Sequence, residues 1–116
     1  MKATIGWALS VGGSTRGARL LSIAASNVGR ARTTITSWAV MLPDGRTIVP
    51  APQRDMWEGP DVPRPLDVGD GATWYVLLDP MVEARRDAGY PTETEVRATV
   101  VLGTGKRVTS RKGVRI

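Results

Sequence analysis

The chain has no histidine and no cysteine among its 116 residues. Without histidine there is no Ser-His-Asp or Cys-His nucleophilic site and no imidazole metal ligand. Without cysteine no disulfide holds the fold, and a structural zinc or an iron–sulfur cluster lacks its ligands. Long apolar runs are missing as well. No stretch approaches the roughly 18 apolar residues that a membrane helix needs. The opening segment is interrupted by Thr4, Gly6 and Ser10, unlike the apolar stretch of a secretory leader, so the expected location is the cytoplasm of the producing cell. These absences argue against an enzyme, a cofactor, a membrane partner and a small-molecule substrate.

Carboxylate chemistry is what the absences leave, and its candidates are weak. Glu93 and Glu95 share one side of a strand, as a glycosidase-like pair would. Arg97 continues that side, and the group reads as a solvated face. Asp67 and Asp70 flank a glycine turn; calcium takes such oxygen ligands, but the spacing fits no EF-hand loop and both read as turn residues. Gly103-Thr104-Gly105-Lys106 looks like the tail of a phosphate-binding loop. Val100 stands where the motif's earlier glycine belongs and Arg107 where Ser or Thr belongs, so it reads as a hairpin turn.

What the sequence does contain is alternation. Ala3, Ile5, Trp7, Leu9 and Val11 point one way across residues 2–11, and the residues between them point the other, as in a strand with one buried face. A turn at Gly12–Gly17 leads to a strand at Ala18–Ser26 with Leu21, Ile23 and Ala25 inward. Asn27-Val28-Gly29-Arg30 turns into Thr33–Leu42, rich in β-branched residues. There Ile35 has one register and Trp38, Val40 and Leu42 the other, which predicts a β-bulge near Ser37. Pro43-Asp44-Gly45-Arg46 turns into a short strand, Thr47–Val49. Residues 50–65 hold five prolines and no pattern, a long surface loop. Strands follow at Ala72–Leu78, Thr94–Leu102 and Arg107–Ile116. Between the first two, Asp79 as N-cap and Pro80 at the first helical position predict a short helix over Met81–Ala88, ended by Gly89. The length suits one domain, residues 1–116, large enough to hide roughly two thirds of the unfolded surface. About seven strands at short spacing predict an all-β sandwich or barrel.

Three stretches sharpen this into a resemblance. Leu21-Ser22-Ile23-Ala24-Ala25-Ser26-Asn27-Val28-Gly29, then Ile35-Thr36-Ser37-Trp38, then Leu42-Pro43-Asp44-Gly45 resemble the first half of bacterial and phage immunoglobulin-like domains. Leu66-Asp67-Val68-Gly69-Asp70 resembles the turn into a mid-domain strand of the same fold. The resemblance implies an immunoglobulin-like β-sandwich with Trp38 as its central core tryptophan, here without the cystine on which that residue normally packs. These are turn and core motifs, and they speak to fold rather than activity.

Charge is unevenly placed. Residues 1–43 carry five basic residues and no acidic one, residues 44–95 hold all eleven acidic residues against five basic, and residues 96–116 carry six basic and none acidic. Arg107, Arg111 and Arg115 share one strand parity, with Lys106 and Lys112 beside them. Two readings fit: a basic face for phosphates or an acidic protein, or a charged edge that discourages aggregation. No aromatics interleave with these cations, which counts against a single-strand nucleic-acid platform. The second candidate surface is Met56-Trp57 in the proline-rich loop, either an interface anchor or a cap folded back on the sandwich. Trp7, Trp38 and Trp74 sit in strands and read as structural. Tyr75 and Leu77 oppose Trp74 and Val76, so that strand carries large groups on both faces, for cover by the helix or by a neighbouring chain.

The expected function is therefore a non-enzymatic structural or interaction module, with a protein partner or copies of itself. Thirteen of the sixteen basic residues are arginine, as in GC-rich bacterial and phage coding. With the resemblance, this favours a phage virion component, a capsid decoration or minor head protein. The alternative is a bacterial cytosolic adaptor or accessory domain binding an acidic protein or nucleic acid through its C-terminal strand.

Overall fold

A computed structural model describes residues 1–9, 17–48 and 57–116. Ten strands and one helix follow in order: β1 Lys2–Leu9, β2 Arg19–Ser26, β3 Thr33–Met41, β4 Thr47–Ile48, β5 Trp57–Glu58, β6 Arg64–Leu66, β7 Gly71–Leu77, α1 Leu78–Asp87, β8 Glu95–Leu102, β9 Arg107–Thr109 and β10 Val114–Arg115. They form two antiparallel sheets. The first runs β1-β2-β7-β5; the second has β8 at its centre, between β3 on one side and β9 and β10 on the other, with β4 and β6 paired to β3. This is an all-β sandwich with the strand order of an immunoglobulin-like fold.

The core lies between the sheets. Leu21, Ile23 and Ala25 of β2 and Ala72, Trp74 and Val76 of β7 face Ile35, Trp38 and Val40 of β3 and Val96, Ala98 and Val100 of β8, all buried. Trp38 stacks on Trp74 with centroids 5.4 Å apart and meets Trp57 edge-on at 5.3 Å. The Trp74 indole N–H is satisfied by the Pro60 carbonyl at 2.7 Å. Trp38 thus packs on two other tryptophans. Asn27 is buried in the turn after β2. Its side-chain amide donates to the carbonyls of Ala31 and Leu66 and its carbonyl accepts from the Gly29 N–H, which fastens that turn to β6.

The bulge in β3 falls at Thr36. Ile35 opposes Leu102 and Ser37 opposes Val101, so Thr36 is the extra residue, its hydroxyl donating to the Val101 carbonyl at 3.1 Å. Without it, Ile35 and Trp38 would face opposite sides; with it both are buried.

Four expectations need correction. The helix begins at Leu78, and its N-cap is Leu77, with no side-chain cap bond. Leu78 is a core residue, so the chain turns helical as soon as β7 ends; Asp79 and Pro80 fall within the first turn, where N–H groups have no intrahelical partner. Its end is as expected: Gly89 has φ +87°, and the Tyr90 N–H reaches back to the Arg85 carbonyl. The stretch 50–65 is not patternless throughout, since β5 pairs β7 and β6 pairs β3. The segment 107–116 is two strands rather than one. Lastly, Trp7 is not a core residue but 51% exposed. Residues 10–16 and 49–56, and with them Val11, Val49, Met56 and most of the first turn, lie outside the described residues.

Candidate functional site

The basic C-terminal segment runs antiparallel along β8. Thr109 opposes Thr99, and Val114 opposes Val96, so β8 advances three residues while the terminal segment advances five. The two surplus residues make a bulge over Ser110–Gly113. Ser110, itself buried, builds it: its N–H donates to the Ala98 carbonyl, its hydroxyl oxygen accepts the Ala98 N–H at 3.0 Å, and that hydroxyl donates to the Lys112 carbonyl at 2.8 Å. Gly113 is required there. A Cβ on it would stand 2.5 Å from the Val96 carbonyl oxygen and 2.8 Å from a Glu95 carboxylate oxygen.

An even surplus keeps strand parity but lifts the bulge residues away from β8. The five candidate cations therefore separate. Lys106 lies in the β8–β9 turn, exposed. Arg107 and Arg115 stay on the outer face, opposite Val101 and Glu95. Arg111 and Lys112 move to the edge, where the chain approaches β1. There they line a cleft of about 640 Å³ with Lys2, Thr4 and Ile5 of β1 and Val108 and Thr109 of β9. Among the described residues no carboxylate lines it. Lys2 is the member that sequence reasoning missed, because only the sandwich brings the first strand beside the last. Arg97, which strand parity sets on the same side as Glu95, lies on the outer face, where Glu95 holds it at 3.3 Å.

The other candidates take structural roles. Trp57 is half-buried against Trp38, so it closes the core, while Met56 lies outside the described residues. The Asp70 carboxylate accepts the Asp67 N–H, and Arg32 stands 3.6 Å from Asp67, which makes this pair a turn. Glu93 precedes β8 with φ +67°, and Glu95 faces Arg97. Gly103–Lys106 is the hairpin turn joining β8 to β9. Among the described residues no three His, Cys, Asp or Glu side chains converge as a metal-ligand set, and no helix is long and apolar enough to cross a membrane.

Three further charged groups belong to the framework. The Asp44 carboxylate accepts the Arg46 N–H at 3.0 Å and the Arg46 Nε–H at 2.6 Å. The Arg46 backbone bond is the largest influence and desolvation, which opposes it, the next; the Tyr90 hydroxyl and the Arg46 side chain add to the backbone bond, and the balance holds Asp44 below the ordinary carboxylate range. Arg46 also donates to the Ala88 carbonyl at 3.2 Å and lies over the Tyr90 ring, tying the β3–β4 turn to the end of α1. Arg85 is 4% exposed; one nitrogen donates to the Tyr90 carbonyl at 3.3 Å and its Nε has no partner. It sits in the last turn of α1, where the helix carbonyls favour a cation.

Comparison with known proteins finds no matching family model, no matching curated protein and no matching solved structure.

Proposed function

We propose that the protein is a non-catalytic interaction module, of the immunoglobulin-like family it resembles, that docks an acidic protein partner on its C-terminal edge. The observation that carries this reading is the cleft, where Lys2 stands with Arg111 and Lys112 and, among the described residues, no carboxylate. Clustered cations of one sign steer an acidic partner and reject basic ones. The cleft runs between the edges of β1 and β9, a shape that suits an extended chain.

The test is binding of a labelled Glu-rich peptide to the full chain. Reversing Arg111→Glu and Lys112→Glu together should weaken binding by about tenfold or more, and Arg30→Glu, an exposed cation elsewhere, should leave it within about twofold. Equal binding by the double variant rejects the proposal. A DNA duplex that binds more tightly than the peptide, with a steep salt dependence, replaces the acidic protein with nucleic acid.

The virion reading, a capsid decoration or minor head protein made in the host cytoplasm, is the second proposal. Its support is the long open edge of β1, where copies or a shell protein could add. The chain should then co-purify with particles in fixed stoichiometry, and its absence from purified virions ends that reading.

A further inference from the structure

Among the described residues, the sandwich has one long edge without protection. β5 and β4 are two residues each and β6 is three. The β9–β10 edge is broken by its bulge and carries Arg107, Arg111, Lys112 and Arg115. β1 is eight residues long, continuous in register with β2, and uncharged from Ala3 to Leu9. No described strand pairs with its outer side. Its first half is covered: Ala3 is buried, Ile5 packs against the core, and the strand lies near β8 and β9. Its second half is not. Trp7 and Leu9 have the inward parity of Ala3 and Ile5, yet they are 51% and 65% exposed.

We propose that β1 pairs antiparallel with β1 of a second copy about a twofold axis at Trp7, joining two four-stranded sheets into one of eight strands. An open edge takes an extended backbone, so the occupant is a strand. The side chains select which strand. With Trp7 opposite Trp7, Ile5 falls opposite Leu9 and Gly6 opposite Ala8. Large apolar residues then meet on the inner side and small ones on the outer side. A slip of one residue would set Trp7 against Ala8 and lose this match. Charge points the same way. Two chains of net +5 repel over most of their surfaces, but the paired segment Ile5–Leu9 carries no charge and excludes Lys2. The contact is isologous and closes at a dimer. It shares only Ile5 with the cleft, uses none of the cleft's cations, and does not depend on the acidic-partner reading.

The experiment is sedimentation equilibrium of the full chain from micromolar to millimolar concentration. A concentration-dependent dimer is expected. Trp7→Lys with Leu9→Lys, both at exposed positions, should raise its dissociation constant by about tenfold or more while the circular dichroism spectrum and melting temperature hold. Arg111→Glu with Lys112→Glu should not weaken dimerisation, which separates this contact from the cleft. Because the chain has no native cysteine, Trp7→Cys should cross-link to a disulfide dimer on oxidation, and Thr73→Cys, on the central strand β7, should not. A monomer throughout the range, a dimer insensitive to the double lysine variant, or equal cross-linking at the two cysteines each overturns the proposal.

Discussion

The two long edges of the molecule solve the same problem in opposite ways. Among the described residues, neither β1 nor the β9–β10 segment has a strand paired to its outer side. The C-terminal edge is interrupted by two surplus residues and dressed with Arg107, Arg111, Lys112 and Arg115, so another strand meets a broken ladder and a row of like charges. β1 keeps an unbroken register from Lys2 to Leu9 and has one cation, at its start. The difference teaches that exposure alone does not define a surface. One edge is built to meet charge, and the other to meet backbone and apolar side chains.

Three perturbations sharpen that contrast. The largest effect is expected at the core on which both edges depend. Trp74→Ala removes the ring stacked on Trp38 and should cost about 3–5 kcal/mol, loosening both edges together. Chemical denaturation would measure it. Loss confined to one edge would show that the two are held independently. The next effect separates them. Gly113→Ala places a methyl against Val96 and Glu95 and should cost about 1–3 kcal/mol. Hydrogen exchange should then quicken across β9 and β10 and hardly change in β1. Quickening in β1 to the same extent would mean that β1 leans on the bulge. The smallest concerns a contact that belongs to neither edge. Asp44 is held below its ordinary range, so its contribution is present above the unfolded value and is lost as pH falls through the folded one. Asp44→Asn should flatten the acid limb of the melting-temperature profile and leave the behaviour of both edges at neutral pH unchanged.

Much of the fold was legible in the sequence, for identifiable reasons. Period-two alternation marks β2, β7 and β8, because one face of each packs in the core while most of the other is at least partly exposed; Thr99 of β8, buried on the outer side, is the exception. The phase break between Ile35 and Trp38 located the bulge in β3, since both residues had to reach the core. The second bulge left no such mark. Its surplus of two residues preserves parity, so Arg107, Arg111 and Arg115 look co-facial in the sequence while Arg111 turns away in space. Trp7 misled for a related reason: alternation states which way a side chain points, not whether an opposing sheet reaches far enough to cover it.

The candidate site divides along the same line. Sequence pointed to the cationic tail, because charge density is a local property. It could not supply Lys2, which lies more than a hundred residues from Arg111 in the chain. Nor could it reveal that Arg85 is a buried cation, since nothing in a run of helix-forming residues distinguishes it from its neighbour Arg86.

By itself, then, the sequence determined the β class, the turns after β2, β3 and β8, the position of the first bulge and the absence of histidine and cysteine chemistry. All of these follow from residue types and short-range periodicity. The tertiary structure alone decided which cations share a cleft, which tryptophans form the core and which edge stays open. Those depend on where the two sheets end relative to one another, and that is set by packing between residues far apart in the chain.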